Sequence, residues 1–123
     1  MFRLIFPMGS TFLLFLASAL SAGEADVIKV ELSKETEGKF RFDVTVKHAD
    51  AGWNHYANKW EVLTPDGSVL GTRILYHPHV NEQPFTRSLG GISIPDSLNV
   101  VVVMAHDKVH GTGGGTKRVQ LPR

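Results

Sequence analysis

Cysteine is absent from all 123 residues. The chain therefore has no disulfide framework, no thiolate metal ligand and no cysteine nucleophile, and burial with backbone pairing must hold it together. An excess of one charge is missing too. Setting Arg3 aside, 12 Lys and Arg face 12 Asp and Glu, with no basic stripe and no acidic tail. Recognition of nucleic acid or of an anionic membrane surface needs clustered Lys and Arg, so neither partner is expected. No stretch beyond residue 22 carries a helical period, and there are no internal repeats. Catalytic signatures are equally scarce. There is no GxSxG elbow and no evident carboxylate pair for glycoside chemistry. The run Gly113-Gly114-Gly115 fails the GxxxxGK(S/T) phosphate-loop spacing and reads as a flexible hairpin loop. Ser88, His106 and Asp107 can be drawn as a triad, but so can three such residues in any polar chain.

The one long apolar run stands at the start. Met1-Phe2-Arg3 supplies a positive charge, Leu4 to Ala22 is apolar or small, and Ser18, Ala19, Ser21 and Ala22 close it. That order is the pattern of a secretory signal peptide, with cleavage after Ala19, Ala22 or Ala25 allowed and Ala22 favoured. An uncleaved anchor is the rival reading, weakened by Pro7, Gly9, Ser10 and Thr11 inside the run. With no cysteine near the cut, a lipid-anchored form is not expected. The division is then residues 1–22 as signal peptide and residues 23–123 as one small domain, periplasmic or secreted and free of the membrane after cleavage.

The periodicity of that domain is the two-residue alternation of strands. Phe40, Phe42, Val44 and Val46 alternate with Arg41, Asp43, Thr45 and Lys47, and Ile28, Val30 and Leu32 do the same against Lys29 and Glu31. Trp60 and Val62 open another inward face, Pro65-Asp66-Gly67 makes a turn, and Val69 to Tyr76 returns. Phe85 to Ile94, bent at Gly90-Gly91, the apolar run Val100 to Ala105, and Lys117 to Leu121 complete the set. About seven short strands separated by turn signals imply an all-β fold, a single antiparallel immunoglobulin-like β-sandwich; a small closed barrel is the alternative.

What the chain does have is histidine, six of them between His48 and His110. Imidazole is a common metal ligand and titrates near neutral pH. His77 and His79 flank Pro78, so in extended chain both rings face one side. His106 and His110 follow the valine run, with Asp107 either fixing an imidazole tautomer or forming a turn. His55 lies in the aromatic stretch Gly52-Trp53-Asn54-His55-Tyr56, and His48 extends the inward face of Phe40 to Val46, where a hydrogen-bonded structural histidine is the ordinary reading. Each histidine alone has such a reading. Together, His55, His77, His79, His106 and His110 form the candidate metal set. Without sulfur the site would be nitrogen-rich, which suits zinc, copper or nickel, copper being strongest by intrinsic affinity, and Met104 would favour copper further if it turned inward.

Two families are similar over short windows. His77-Pro78-x-x-x-x-Gln83-Pro84-Phe85 resembles the HP-x4-NP-aromatic stretch of SoxZ, the immunoglobulin-like Z subunit of the periplasmic thiosulfate-oxidising carrier. That likeness implies an interaction subunit, with Pro84-Phe85-Thr86-Arg87 helping to form a surface for a periplasmic protein partner. His55-Tyr56-x-x-x-Trp60-Glu61 and His110-Gly111 resemble pieces of the desulfoferrodoxin, or superoxide reductase, sandwich, which implies histidine-ligated iron. Where its thiolate ligand would stand, three residues before His110, this chain has Asp107. The blocks GWNHY, HPHVxEQPFTRSL and AHDxVHG also resemble those of a family of small exported bacterial proteins without assigned activity. The readings rank as a non-catalytic exported domain with a divalent-metal site, then an interaction subunit, then an iron redox protein.

Overall fold

A computed structural model describes residues 23–123; the expected signal peptide lies outside the described residues. Seven strands follow in chain order: β1 (Asp26–Lys34), β2 (Lys39–Lys47), β3 (Ala57–Leu63), β4 (Val69–Ile74), β5 (Phe85–Ser93), β6 (Val100–Asp107) and β7 (Lys117–Gln120). They form two antiparallel sheets, β1-β2-β5 and β4-β3-β6-β7. This is an immunoglobulin-like sandwich in which the fourth strand lies beside the third instead of joining the first sheet. Among the described residues no helix is long and apolar enough to cross a membrane.

Alternation places the core. From β2, Phe40, Phe42, Val44 and Val46 are fully buried, and from the facing sheet Trp60, Val62, Val101 and Val103 meet them. β1 departs from the simple pattern. A bulge between Val27 and Lys29 shifts its register, so Val27 enters the core while Ile28 faces out at 42% exposure. Three further irregularities fall between Phe40 and Phe42 against β5, beside Gly90-Gly91, between Val62 and Leu63 against β4, and between Ala57 and Lys59 against β6. The glycine run is not a loose loop. Val27 N–H donates to the Gly115 carbonyl at 2.9 Å and Gly115 N–H to Asp26 Oδ1 at 2.7 Å. A Cβ on Gly114 would lie 1.9 Å from the Ala25 carbonyl oxygen, so only glycine lets this segment clamp the start of β1.

One consequence of alternation positions the site. The inward stripe of β2 continues past Val46 to His48, and the inward stripe of β6 (Val101, Val103, Ala105) ends in Asp107. Antiparallel order puts both strand ends at one end of the sandwich, with Ala57 of β3 paired to Asp107 and Phe85 of β5 paired to Val46. Two apolar stripes thus terminate in polar residues that face each other inside the same end.

Candidate metal centre

His48, Asp50 and Asp107 are buried at this end, each 6% exposed or less. His48 Nδ1 lies 2.5 Å from Asp50 Oδ1. A carboxylate only accepts, so Nδ1 carries a proton, and Nε2 is turned the other way. The β2–β3 loop then folds back on itself, with Ala51 N–H donating to the His55 carbonyl at 2.9 Å and His55 N–H to the Gly52 carbonyl at 3.1 Å. This turn delivers His55 Nε2 to 3.2 Å from His48 Nε2. The Gly23 carbonyl oxygen is 3.2 Å from both nitrogens.

Asp107 closes the group from the opposite sheet. Its Oδ1 accepts N–H bonds from Val109 at 2.8 Å and His110 at 2.6 Å, tying residues 107–111 into a tight turn that ends on Gly111 at φ 74°. Its Oδ2 is buried, makes no hydrogen bond among the described residues, and lies 3.7 Å from His48 Nε2. His55 Nε2 is 3.6 Å from Oδ1, and His110 Nδ1 is 3.4 Å from it. The His110 ring stands 5.0 Å from that of His55 on the exposed side. Burial acts to raise the Asp107 carboxyl. The His110 and Val109 N–H bonds, with the His48 and His110 imidazoles, outweigh it and hold the group below the usual carboxylate range.

The spacing suits an ion. Donors bound at about 2.0–2.1 Å to a tetrahedral metal stand roughly 3.3 Å from one another. One ligand atom each from His48, His55 and Asp107 lies within 4.8 Å of the others; His48 Nε2 stands 3.2 Å from His55 Nε2 and 3.7 Å from Asp107 Oδ2, and His55 Nε2 stands 3.6 Å from Asp107 Oδ1. Two imidazole nitrogens, a carbonyl oxygen and an orphaned buried carboxylate oxygen converge here, a set that a ring proton on one nitrogen or a cation among the donors can satisfy.

Behind His48 a second set of residues holds it in place. Asp50 Oδ1 also accepts Ala57 N–H at 3.1 Å, and Oδ2 accepts His79 N–H at 2.7 Å. The Gln83 side chain links the same two segments, accepting His48 N–H at 2.9 Å and donating to the His79 carbonyl at 3.0 Å. His79 stacks on buried Phe85 at 3.9 Å, and its Nε2 accepts from Arg87 at 2.9 Å. Burial, then the Arg87 and His77 charges, push the His79 imidazolium pKa down, so the neutral ring is favoured.

Of the five histidines expected at the site, the structure brings His55 and His110 together. His77 and His79, with rings 4.6 Å apart, sit at the same end but on the far side of Asp50. His106 is not part of the group. One residue before Asp107, it falls on the outer face of β6 with Met104, where its Nδ1–H donates to Asn58 Oδ1 of β3 at 2.7 Å. Met104 shares that outer face, so among the described residues no sulfur reaches the centre. His48, read as a structural histidine, and Asp107, read as a tautomer-fixing partner or a turn former, complete the cluster instead. The signal for both was present, since each ends an inward-facing stripe. Phe85 is 3% exposed and packs on His79, so it is not available as a surface contact.

No family model matches the chain, and no solved structure matches it. A Halomicrobium mukohataei protein named "Putative lipoprotein" is 42% identical over 97 residues, covering 79% of this chain and 47% of that protein. The chain thus spans about half the length of the curated relative it matches.

Proposed function

We propose that this chain is an exported, non-catalytic domain that holds one divalent transition-metal ion through His48 Nε2, His55 Nε2 and Asp107 Oδ2, with His110 as a further donor. The observation that carries this reading is the 3.2 Å approach of two imidazole nitrogens beside a buried carboxylate oxygen that has no partner among the described residues. Nitrogen donors with one carboxylate and no sulfur suit Zn²⁺ or Cu²⁺, copper being favoured by intrinsic affinity. His55 and His110 are part-exposed, 26% and 39% by side chain, and give the ion its path from solvent. The leader-like residues 1–22 and the similarity to a protein named a lipoprotein support export, although these 123 residues hold no cysteine to carry a lipid. The windows similar to superoxide reductases, His55-Tyr56 and His110-Gly111, are among those that meet, with Asp107 in the thiolate's place, which supports a metal-holding end. Metal analysis and titration calorimetry on untagged protein test the reading. One ion per chain, with affinity lowered at least about a hundredfold by His48→Ala, is expected; no binding at neutral pH rejects it.

A second reading, a surface for a periplasmic protein partner, draws on a different observation. Trp53, Tyr76, Val80 and Val109 are all more than half exposed on the three loops that surround this end. Co-purification from the periplasm tests it, and a lone monomer there counts against it.

A further inference from the structure

Gly23 is wedged into the metal centre. Its carbonyl oxygen lies 3.2 Å from His48 Nε2 and 3.2 Å from His55 Nε2, close to the separation expected for neighbouring donors on one ion. A Cβ on Gly23 would stand 2.7 Å from His110 Cε1, so a third imidazole bounds the residue and would have to shift for anything larger. Its approach is built by the rest of the fold. Gly113, Gly114 and Gly115 lie against Glu24, Ala25 and Asp26 and press the start of β1 into place. The sequence puts the favoured signal cleavage between Ala22 and Gly23.

From this geometry and that expected cut we infer that the N-terminal α-amino group of Gly23, freed by cleavage after Ala22, is itself a ligand of the metal. The inference rests on the metal reading above. Hydrolysis of the Ala22–Gly23 amide by an export peptidase consumes one water, leaving a carboxylate on Ala22 and an ammonium on Gly23. The ion then displaces one proton from that ammonium and binds the amine. While residue 22 is attached, the same nitrogen is an amide whose lone pair is delocalised into the carbonyl, and it is no donor to the ion. The α-amine is three bonds from the Gly23 carbonyl oxygen already beside His48 and His55, so amine and carbonyl can close a five-membered ring on the ion. A free α-amine loses its proton near pH 7.7–8.0 without help, which makes it an accessible donor around neutrality. The centre is thereby completed only in the processed protein, and the unprocessed chain is a weak binder.

The test compares three preparations at one pH: protein starting at Gly23 with its first residue verified by mass spectrometry, the same protein starting Ala22-Gly23, and an N-acetylated form. Cu²⁺ and Zn²⁺ titrations are expected to show binding at least about tenfold tighter for the free Gly23 amine. Electron paramagnetic resonance of the Cu²⁺ form with ¹⁵N-glycine and unlabelled histidine is expected to change the nitrogen hyperfine pattern. Equal affinities and an unchanged pattern, with His48→Ala still abolishing binding, would overturn the Gly23 inference and leave the metal reading standing. Absence of binding in all three forms would overturn both. An exported protein whose first residue is other than Gly23 would overturn the inference alone.

Discussion

His48 is held by a carboxylate on one ring nitrogen and left open on the other, a division of labour set by Asp50. Replacing Asp50 by Asn is expected to release the His48 tautomer and lower metal affinity about 10–100-fold, read by calorimetry, while the domain stays folded by circular dichroism. His79, on the other side of Asp50, gives a pH signature to the metal-free protein. Its folded pKa lies below the 6.5 of an unperturbed histidine, chiefly through burial, so the unfolded chain takes up a proton that the folded chain resists. The sign follows: this contribution to stability is complete above about pH 6.5 and shrinks as the pH falls from there toward the lowered folded value. Denaturation midpoints measured in chelator are therefore expected to drop from pH 7 to pH 5. The slope should be shallower in His79→Gln, and equal slopes would contradict a buried neutral ring.

Strand parity decides which neighbours act together. His106 and Asp107 are adjacent in β6, yet they face opposite sides of the sheet, and only Asp107 meets His48. His106→Ala is expected to leave metal affinity within about twofold of the parent, whereas Asp107→Asn should lower it at least about a hundredfold; the reverse order in titrations would show that the stripe argument fails. The same alternation made β2 and β6 readable from the chain, and it carried His48 onto the inward face beforehand. The β1 register was not readable. Ile28, Val30 and Leu32 alternate cleanly, but the bulge after Val27 is set by pairing with β2, which local pattern does not contain. The β6–β7 loop departs from its sequence expectation for a related reason. Three glycines signal freedom in an isolated peptide, and here they permit contact too close for any Cβ. Gly114→Ala is expected to push the start of β1 away from the centre, lowering both thermal stability and metal affinity; a variant unaffected in both would sink that account.

An ion bound only by the folded chain stabilises the whole sandwich by mass action. At a free concentration a hundred times the dissociation constant the gain is about 2.7 kcal/mol, which for a domain of this size raises the melting temperature by roughly 10–20 °C. Adding a chelator should reverse the shift in the parent protein and do nothing to His48→Ala.

Fold class was legible in the chain because strand alternation and turn residues are local properties, set by the two-residue repeat of extended backbone. So was the richness in histidine with no thiol beside it. Partnership among those histidines was not, because it depends on contacts between residues far apart in the chain. His48 and Asp107 are separated by three crossings between sheets and meet only because both sheets bring their inward stripes to the same end, while His106, one residue away, is turned outward by the pleat.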